Sequence, residues 1–347
     1  MEFFSRQYRR ELFRAADSLK APVSLSTRLR RLLPIVISLA IIAMAAKVLM
    51  GTLAHIRVHE VLATLEAIPV LELVVGVVLM LVLYGSLTYC EMRIAAFVAG
   101  PVSQRRAALG LLLAAPIGHM IGWGAVSGGA IRYRIYSAAG MRPLDIGKMA
   151  LLAAIPYPAG LGLLLGMSLV LQSDAAAALL HVSAALARGA GLAILALHVI
   201  YLTLISVRRE PIALGRFLLT LPPPQLTAMQ YCVGITEVCG AAGILYVLLP
   251  AGVTMPFAVF LGVYVLCILT ALASSMPLGG LGVFESVILL LMPNVSPAAL
   301  LGRVLAYRGL LELLPFFLSI LAFLAYEIWW RLPKQRARVA AIRAARP

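Results

Sequence analysis

The chain has 347 residues, of which 62% are hydrophobic and only 12% are charged. Soluble domains carry about 25% charged residues, so this composition excludes a soluble globular protein and predicts a helical membrane protein. The formal net charge is +15, but its basic residues cluster at both termini and in short loops, as the positive-inside rule predicts, and no nucleic-acid-binding module is recognisable. The cysteines lie in apolar segments without CxxC spacing, which favours neither a disulfide framework nor a zinc site: Cys90, Cys232, Cys239 and Cys267.

The chain begins with a basic segment and two predicted spans. Residues 1–31 hold eight arginines and lysines and are interpreted either as an interfacial helix on the cytoplasmic face or as a solvated tail. Residues 32–53 are predicted to cross outward, and residues 69–97 to return. Near the inner end of this second span, Glu91 and Arg93 are interpreted as a local ion pair.

The next apolar run, residues 109–126, is short and broken. It is interrupted by a proline and by glycines: Pro116, Gly118, Gly122 and Gly124. Basic residues flank it on both sides, so a full crossing would place one basic cluster outside, against the positive-inside rule. A re-entrant or broken hairpin satisfies both flanks. Because non-helical backbone at membrane depth must be buried in protein or line a wet cavity, a site is predicted here.

Residues 127–137 follow this run with the sequence SGGAIRYRIYS. Gly128 and Gly129 give the backbone freedom to turn or to approach another segment, and Arg132 and Arg134 flank Tyr133. A guanidinium grips a phosphate bidentately and keeps its charge in a poorly hydrated site. On one helix the two arginines would diverge by about 200°, so binding one ligand requires irregular backbone. The alternative is a cytoplasmic loop whose arginines touch leaflet phosphates without function.

The remaining spans follow in order. Residues 147–171 are predicted to cross outward with kinks at Pro156 and Pro158, and residues 179–207 to return. A proline-rich cytoplasmic connector over residues 210–224 precedes spans at 227–249 and 256–275. A second glycine-broken segment over residues 276–293 and a last helix ending at Trp330 complete the membrane region.

Together these elements predict an all-α polytopic membrane protein with about eight membrane segments, two of them broken or re-entrant. The predicted domains are a basic N-terminal segment, a first membrane half, a connector, a second membrane half and a basic cytoplasmic tail: residues 1–31, 32–209, 210–224, 225–331 and 332–347. The comparable position of the two broken segments favours an inverted repeat with a binding site between them. Small residues at ordinary helix interfaces explain the glycines equally well.

Isolated charges complete the candidate site. Glu285 follows Gly279, Gly280 and Gly282 in an apolar segment, where an acid requires a cation, a proton or water. It is expected to pair with Arg132 or Arg134, or to meet an ammonium headgroup. Glu237, in mid-span, is expected to take up a proton or pair with an arginine, and the alternative for both acids is a static interhelical ion pair. Arg308 and Glu312 are four residues apart and are expected to pair, whereas Arg303 has no nearby partner in the sequence.

Two of these stretches resemble the membrane domain of the lysylphosphatidylglycerol synthetase/flippase family (MprF type) and its stand-alone relatives. They are SGGAIRYRIYSAAG at residues 127–140 and MPLGGLGVFE at residues 276–285. The resemblance implies an inner-membrane domain that moves aminoacylated phosphatidylglycerol to the outer leaflet and so repels cationic antimicrobial peptides. The chain ends at Pro347, just after a helix, so the soluble aminoacyl-transferase domain and its synthesis reaction are expected to be absent.

The sequence therefore predicts a lipid flippase of the bacterial inner membrane, with both termini cytoplasmic. Its expected partners are phosphatidylglycerol or aminoacyl-phosphatidylglycerol, with no nucleic acid, no cofactor, no metal and an open possibility of homo-oligomers. The predicted substrate-binding residues surround the two broken segments: Gly128, Gly129, Arg132, Tyr133, Arg134, Glu237, Gly279, Gly280, Gly282, Glu285, Arg303 and Arg308. Because enzyme motifs are lacking, no catalytic residue is predicted. The alternatives are the membrane half of a lipid-modifying enzyme and a scaffold subunit without cargo.

Overall fold

The computed structural model of the protein describes residues 68–100, 103–121, 124–207, 212–214, 217–219, 221–250, 252–273 and 282–331. These residues form helices joined by turns and short loops, together with one short hairpin. Its strands, β1 (Ile212–Leu214) and β2 (Phe217–Leu219), pair antiparallel with Leu214 opposite Phe217. The helices in chain order are α1 (Val70–Ala99), α2 (Gln104–Ile121), α3 (Gly124–Ala138), α4 (Pro143–Ala153), α5 (Pro156–Leu171), α6 (Ser173–Leu180), α7 (Ala184–Val207), α8 (Pro224–Val247), α9 (Phe257–Ala273), α10 (Val283–Leu291), α11 (Pro297–Arg308) and α12 (Leu314–Arg331).

Five stretches of helix in the described residues are long and apolar enough to cross a membrane, which indicates a membrane-embedded protein. They are Val70–Ala99, Pro143–Leu171, Ala184–Val207, Pro224–Val247 and Ala299–Trp329. A shorter apolar helix covers Phe257–Leu272. The predicted count of about eight segments is therefore not confirmed. The predicted span at 32–53 lies outside the described residues, as do both basic ends.

Proline defines where several of these helices begin. Four helices start with it, at the position where its missing N–H and fixed φ cost nothing: Pro143, Pro156, Pro224 and Pro297. The predicted kink at Pro156 is a break between α4 and α5. A second helix junction follows α6, where His181 takes a left-handed conformation with φ 55°, so the predicted span at 179–207 begins only at Ala184.

Helix α8 forms the centre of the packed body. It lies against α1 and α5. Of an 18-residue apolar stretch in each helix, 56% is buried in α8 and 11% in the peripheral α7. At the crossing of α5 and α8, Gly160 and Gly234 bring the two backbones into contact: a Cβ on Gly234 would overlap the carbonyl oxygen of Pro156. Small residues allow such close approach between membrane helices.

Helices α2 and α3 form an antiparallel hairpin. The Tyr136 hydroxyl near the end of α3 lies 3.4 Å from the carbonyl oxygen of Ala107 near the start of α2, and Gly128 lies against the carbonyl of Ala114. The chain therefore reverses direction here, as both basic flanks require. The depth of this hairpin in a membrane stays a prediction.

A π-helical turn, Gly309–Leu313, joins α11 to α12 without a break in the helix. Such turns insert one extra residue into a helix and are frequent at functional sites. The turn carries Glu312 and directly follows Arg308, so it lies beside one of the charged clusters described below.

Candidate functional site

The arginines of residues 127–137 lie on regular helix. We expected irregular backbone there so that Arg132 and Arg134 could share one ligand. That expectation is wrong, because α3 runs without interruption from Gly124 to Ala138. The glycines instead lie at helix contacts. A Cβ on Gly128 would lie 3.2 Å from the Ala114 carbonyl oxygen, which is a tight contact. A Cβ on Gly129 would lie 4.0 Å from the Ala150 side chain, which is an ordinary van der Waals distance. The two arginines consequently reach different neighbouring helices.

Arg132 binds Glu91 of α1. Its Nε donates to Glu91 Oε1 at 2.8 Å and its Nη2 donates to Oε2 at 2.9 Å. The Tyr136 hydroxyl donates to the same Oε1 at 3.1 Å, and Glu91 is only 1% exposed. Planar, bidentate pairing of this kind is the strongest form of ion pair that a guanidinium makes. The predicted local pair of Glu91 with Arg93 is wrong, since Glu91 binds across helices.

Arg134 binds Glu327 of α12. Nε lies 2.6 Å from Glu327 Oε1 and Nη2 donates to Oε2 at 3.0 Å. The guanidinium also stacks over the Tyr326 ring, 5.7 Å from its centroid, which adds a cation–π contact. Both ionic side chains are buried. Helix α3 therefore places two guanidiniums in two separate buried pairs, one against α1 and one against α12.

Arg308 binds two carboxylates. Its Nε donates to Glu285 Oε1 at 2.5 Å, and its Nη1 lies 3.0 Å from Glu312 Oε2. The predicted pair of Arg308 with Glu312 is confirmed, whereas the expected pairing of Glu285 with Arg132 or Arg134 is wrong. Glu285 also accepts a hydrogen bond from the backbone N–H of Gly282 at 2.7 Å and so caps α10.

The other predicted residues lie around these clusters. Arg303 binds Glu72 of α1, with 2.9 Å between Nη1 and Oε2. Tyr133 is half-buried against the apolar core. Gly282 takes φ +86°, which favours glycine. Gly279 and Gly280 lie outside the described residues, so the arrangement of the second broken segment stays a prediction.

Glu237 differs from every acid above. It is 5% exposed near the middle of α8, and no hydrogen bond or ion pair joins it to any residue that the structure describes. The titratable groups within electrostatic range are phenols and a thiol: Tyr84, Cys90 and Tyr157. A buried carboxyl in such surroundings is expected to be neutral, because nothing compensates the desolvation of its charge.

Sequence reasoning missed the partners Glu72, Glu91 and Glu327, together with Tyr136. A signal existed for two of them, because Glu91 and Glu327 are acids within long apolar helices, where an acid requires a partner, but Glu91 was assigned to the nearby Arg93. Tyr136 carried no comparable signal. A tyrosine close to two arginines in the sequence is typical of the membrane interface, so its position alone does not indicate a buried hydrogen bond.

The chemistry available here is anion and proton binding. The Arg132 guanidinium is held by Glu91 in the fork geometry that a phosphate also satisfies, and Arg134 is held by Glu327 through one hydrogen bond and a close ionic contact. An anionic ligand would therefore exchange with Glu91 or Glu327 and would not enter an open site. No group of three or more metal-ligating side chains occurs among the residues that the structure describes.

Comparison with known proteins identifies a relative of nearly the same length. The chain is 28% identical over 304 residues to the uncharacterized protein slr0712 of the cyanobacterium Synechocystis sp., covering 87% of this chain and 94% of the relative. No protein-family model matches the chain. The match spans nearly the whole length of both proteins, so the relative has the extent of the membrane body described above.

Proposed function

We propose that this protein is a lipid flippase that moves phosphatidylglycerol, aminoacyl-phosphatidylglycerol or a related anionic phospholipid across the bacterial inner membrane. One observation carries the proposal: a helical hairpin holds two guanidiniums, Arg132 and Arg134, in buried ion pairs with carboxylates of two different helices. Charged side chains inside an apolar helical body are costly, and binding of a polar headgroup would account for their presence. The resemblance of residues 127–140 and 276–285 to the MprF-type membrane domain adds support.

In the proposed cycle the carboxylates stand in for the lipid phosphate. Glu91 and Glu327 keep the guanidiniums charged and hydrogen-bonded while no lipid is bound. An arriving phosphate takes the same fork geometry, and the released carboxylate then meets water or an amino group of the headgroup. The acyl chains stay in the surrounding lipid throughout. Outward movement of aminoacylated lipid would lower the negative surface charge and contribute to resistance against cationic antimicrobial peptides.

The test is a leaflet-resolved assay in proteoliposomes with fluorescent phosphatidylglycerol. Arg134→Gln should slow headgroup movement about tenfold or more, because a charged hydrogen bond contributes about 1.5–3 kcal/mol and about 1.4 kcal/mol corresponds to a factor of ten. Arg105→Gln is the matched control, since Arg105 is an exposed arginine on the other arm of the hairpin. It should transport like the wild type. Equal transport by Arg134→Gln and the wild type would contradict the proposal.

A second candidate is a membrane scaffold without cargo, and the pairing of Arg132, Arg134 and Arg308 with carboxylates favours it. The double variant Arg134→Glu/Glu327→Arg distinguishes the two functions. It restores an ion pair but moves the cation from α3 to α12. A scaffold should tolerate the exchange, with expression and partner contacts intact. A flippase should fold and yet fail to move lipid, because the guanidinium no longer lies on the hairpin.

A further inference from the structure

Glu237 stands apart from the other buried or partly buried acids of the described residues. Those acids bind arginines, as shown for Glu91, Glu285, Glu312 and Glu327 and as Asp145 does with Arg142. Only 5% of the surface of Glu237 is exposed, and the residue has no cation partner in the part of the chain that the structure describes. It lies on α8, the helix at the centre of the body.

The groups facing Glu237 are neutral. Helix α1 contributes Tyr84 and Cys90, and α5 contributes Tyr157. On the other helices packed against α8, several charged and titratable groups have partners of their own. Tyr264 of α9 shares a hydrogen bond with Tyr307 of α11, Arg308 and Arg303 of α11 bind Glu285, Glu312 and Glu72, and His198 of α7 bonds Tyr231 of α8 itself.

We propose that Glu237 is a reversible proton-binding site inside the membrane body, and that its protonation couples a proton gradient to headgroup movement. A lone carboxyl surrounded by apolar side chains, phenols and a thiol is stable in its protonated form and ionises only when water or a cation reaches it. A proton is the ligand that one carboxyl can hold by itself. A hard metal ion would require about six oxygen ligands, and the described surroundings offer one carboxyl and two phenols.

Protonation of Glu237 can affect the charged cluster around Arg308 through electrostatics. Glu312 acts electrostatically on Tyr84 and Tyr157, the same phenols that lie near Glu237. Glu312 in turn binds Arg308, which binds Glu285. Loss of the proton from Glu237 would add a negative charge near Tyr84 and Tyr157, the two phenols that Glu312 also lies near, and so change the electrostatic field at the cluster. This coupling rests on the proposed function, whereas the proton site does not.

The proton site is tested without any lipid transport. Infrared spectra of the purified protein should show the carbonyl stretch of a protonated carboxylic acid at neutral pH, disappearing as the pH is raised. Glu237→Gln should remove this band, and Glu72→Gln, which removes an arginine-paired acid, should keep it. A second measurement uses the wild type alone: dicyclohexylcarbodiimide, which adds to protonated carboxyl groups in apolar surroundings, should modify Glu237 and leave Glu91 unmodified. Absence of both the band and the adduct would overturn the site.

The coupling is tested in proteoliposomes under an imposed pH gradient. Wild-type lipid movement should accelerate with the gradient, whereas Glu237→Gln should move lipid at one rate with or without it. Movement in the wild type that ignores the gradient would overturn the coupling. A wild type that moves no lipid would refute the flippase proposal, and the infrared band would still report on the proton site.

Discussion

At the scale of single residues, the partners of the buried charges explain why the interior tolerates them. Arg132, Glu91 and Tyr136 form one hydrogen-bonded group in which each side chain satisfies another. Such a pair is not a strong net source of stability, because desolvation offsets most of its attraction. Its removal from one side is nevertheless costly, since the remaining charge is then buried alone. The group is therefore better understood as a constraint on which helices lie together.

This constraint gives a prediction for a double-mutant cycle. Arg132→Gln should lower the free energy of unfolding by about 3–5 kcal/mol, because it leaves the Glu91 carboxylate buried without its cation. Arg132→Gln combined with Glu91→Gln should cost clearly less than the sum of the two single changes. Unfolding in detergent, followed by circular dichroism, measures both.

The control for that cycle lies two residues from Glu91. Arg93 is exposed on α1, and Arg93→Gln should leave the unfolding transition unchanged. Additive losses in the cycle would contradict the view that Arg132 and Glu91 stabilise each other.

At the scale of elements, the sequence predicts the helices better than it predicts their contacts. The long apolar runs locate α1 and α8 with small errors, whereas α4 and α5 are predicted as a single kinked span. The glycines of residues 127–137 predict irregular backbone, because glycine permits tight turns. Glycine equally permits two helices to approach closely, and Gly128 has this role against Ala114. Partners 41 and 193 residues apart, as for Arg132 and Arg134, leave no periodic signal in one sequence.

The crossing of α5 and α8 yields a prediction at this scale. Gly234→Ala should lower stability by about 1–3 kcal/mol or more, because the new Cβ meets the rigid carbonyl of Pro156 and the helices must separate. Gly189→Ala is the matched control on α7, where nothing lies within 4 Å of the added methyl group. Thermal unfolding in detergent compares the two, and equal midpoints would show that the crossing is not tightly packed.

At the scale of the whole molecule, the hairpin of α2 and α3 decides the topology. Both of its open ends, near Ser103 and Arg142, should face the same side of the membrane, since the chain reverses between them. The stretch from Pro143 to Leu171 then crosses, so Asp174 should face the opposite side.

Cysteine accessibility measures this topology. Ser103→Cys and Arg142→Cys should react from one side with a membrane-impermeant thiol reagent, and Asp174→Cys should react from the other. The background would carry alanine in place of the native thiols: Cys90, Cys232, Cys239 and Cys267. Opposite-side labelling of Ser103→Cys and Arg142→Cys would show that the pair of helices traverses the bilayer and does not return.

The π turn at Gly309–Leu313 has an effect that extends beyond its five residues. Each residue advances an α-helix by about 100°, so the additional residue turns the whole of α12 about its axis relative to α11. Glu327 and Tyr326 face Arg134 in that rotated setting. Removing one residue from the turn would rotate Glu327 and Tyr326 away from α3. The irregular turn next to Arg308 therefore determines whether the distant end of α12 can reach Arg134.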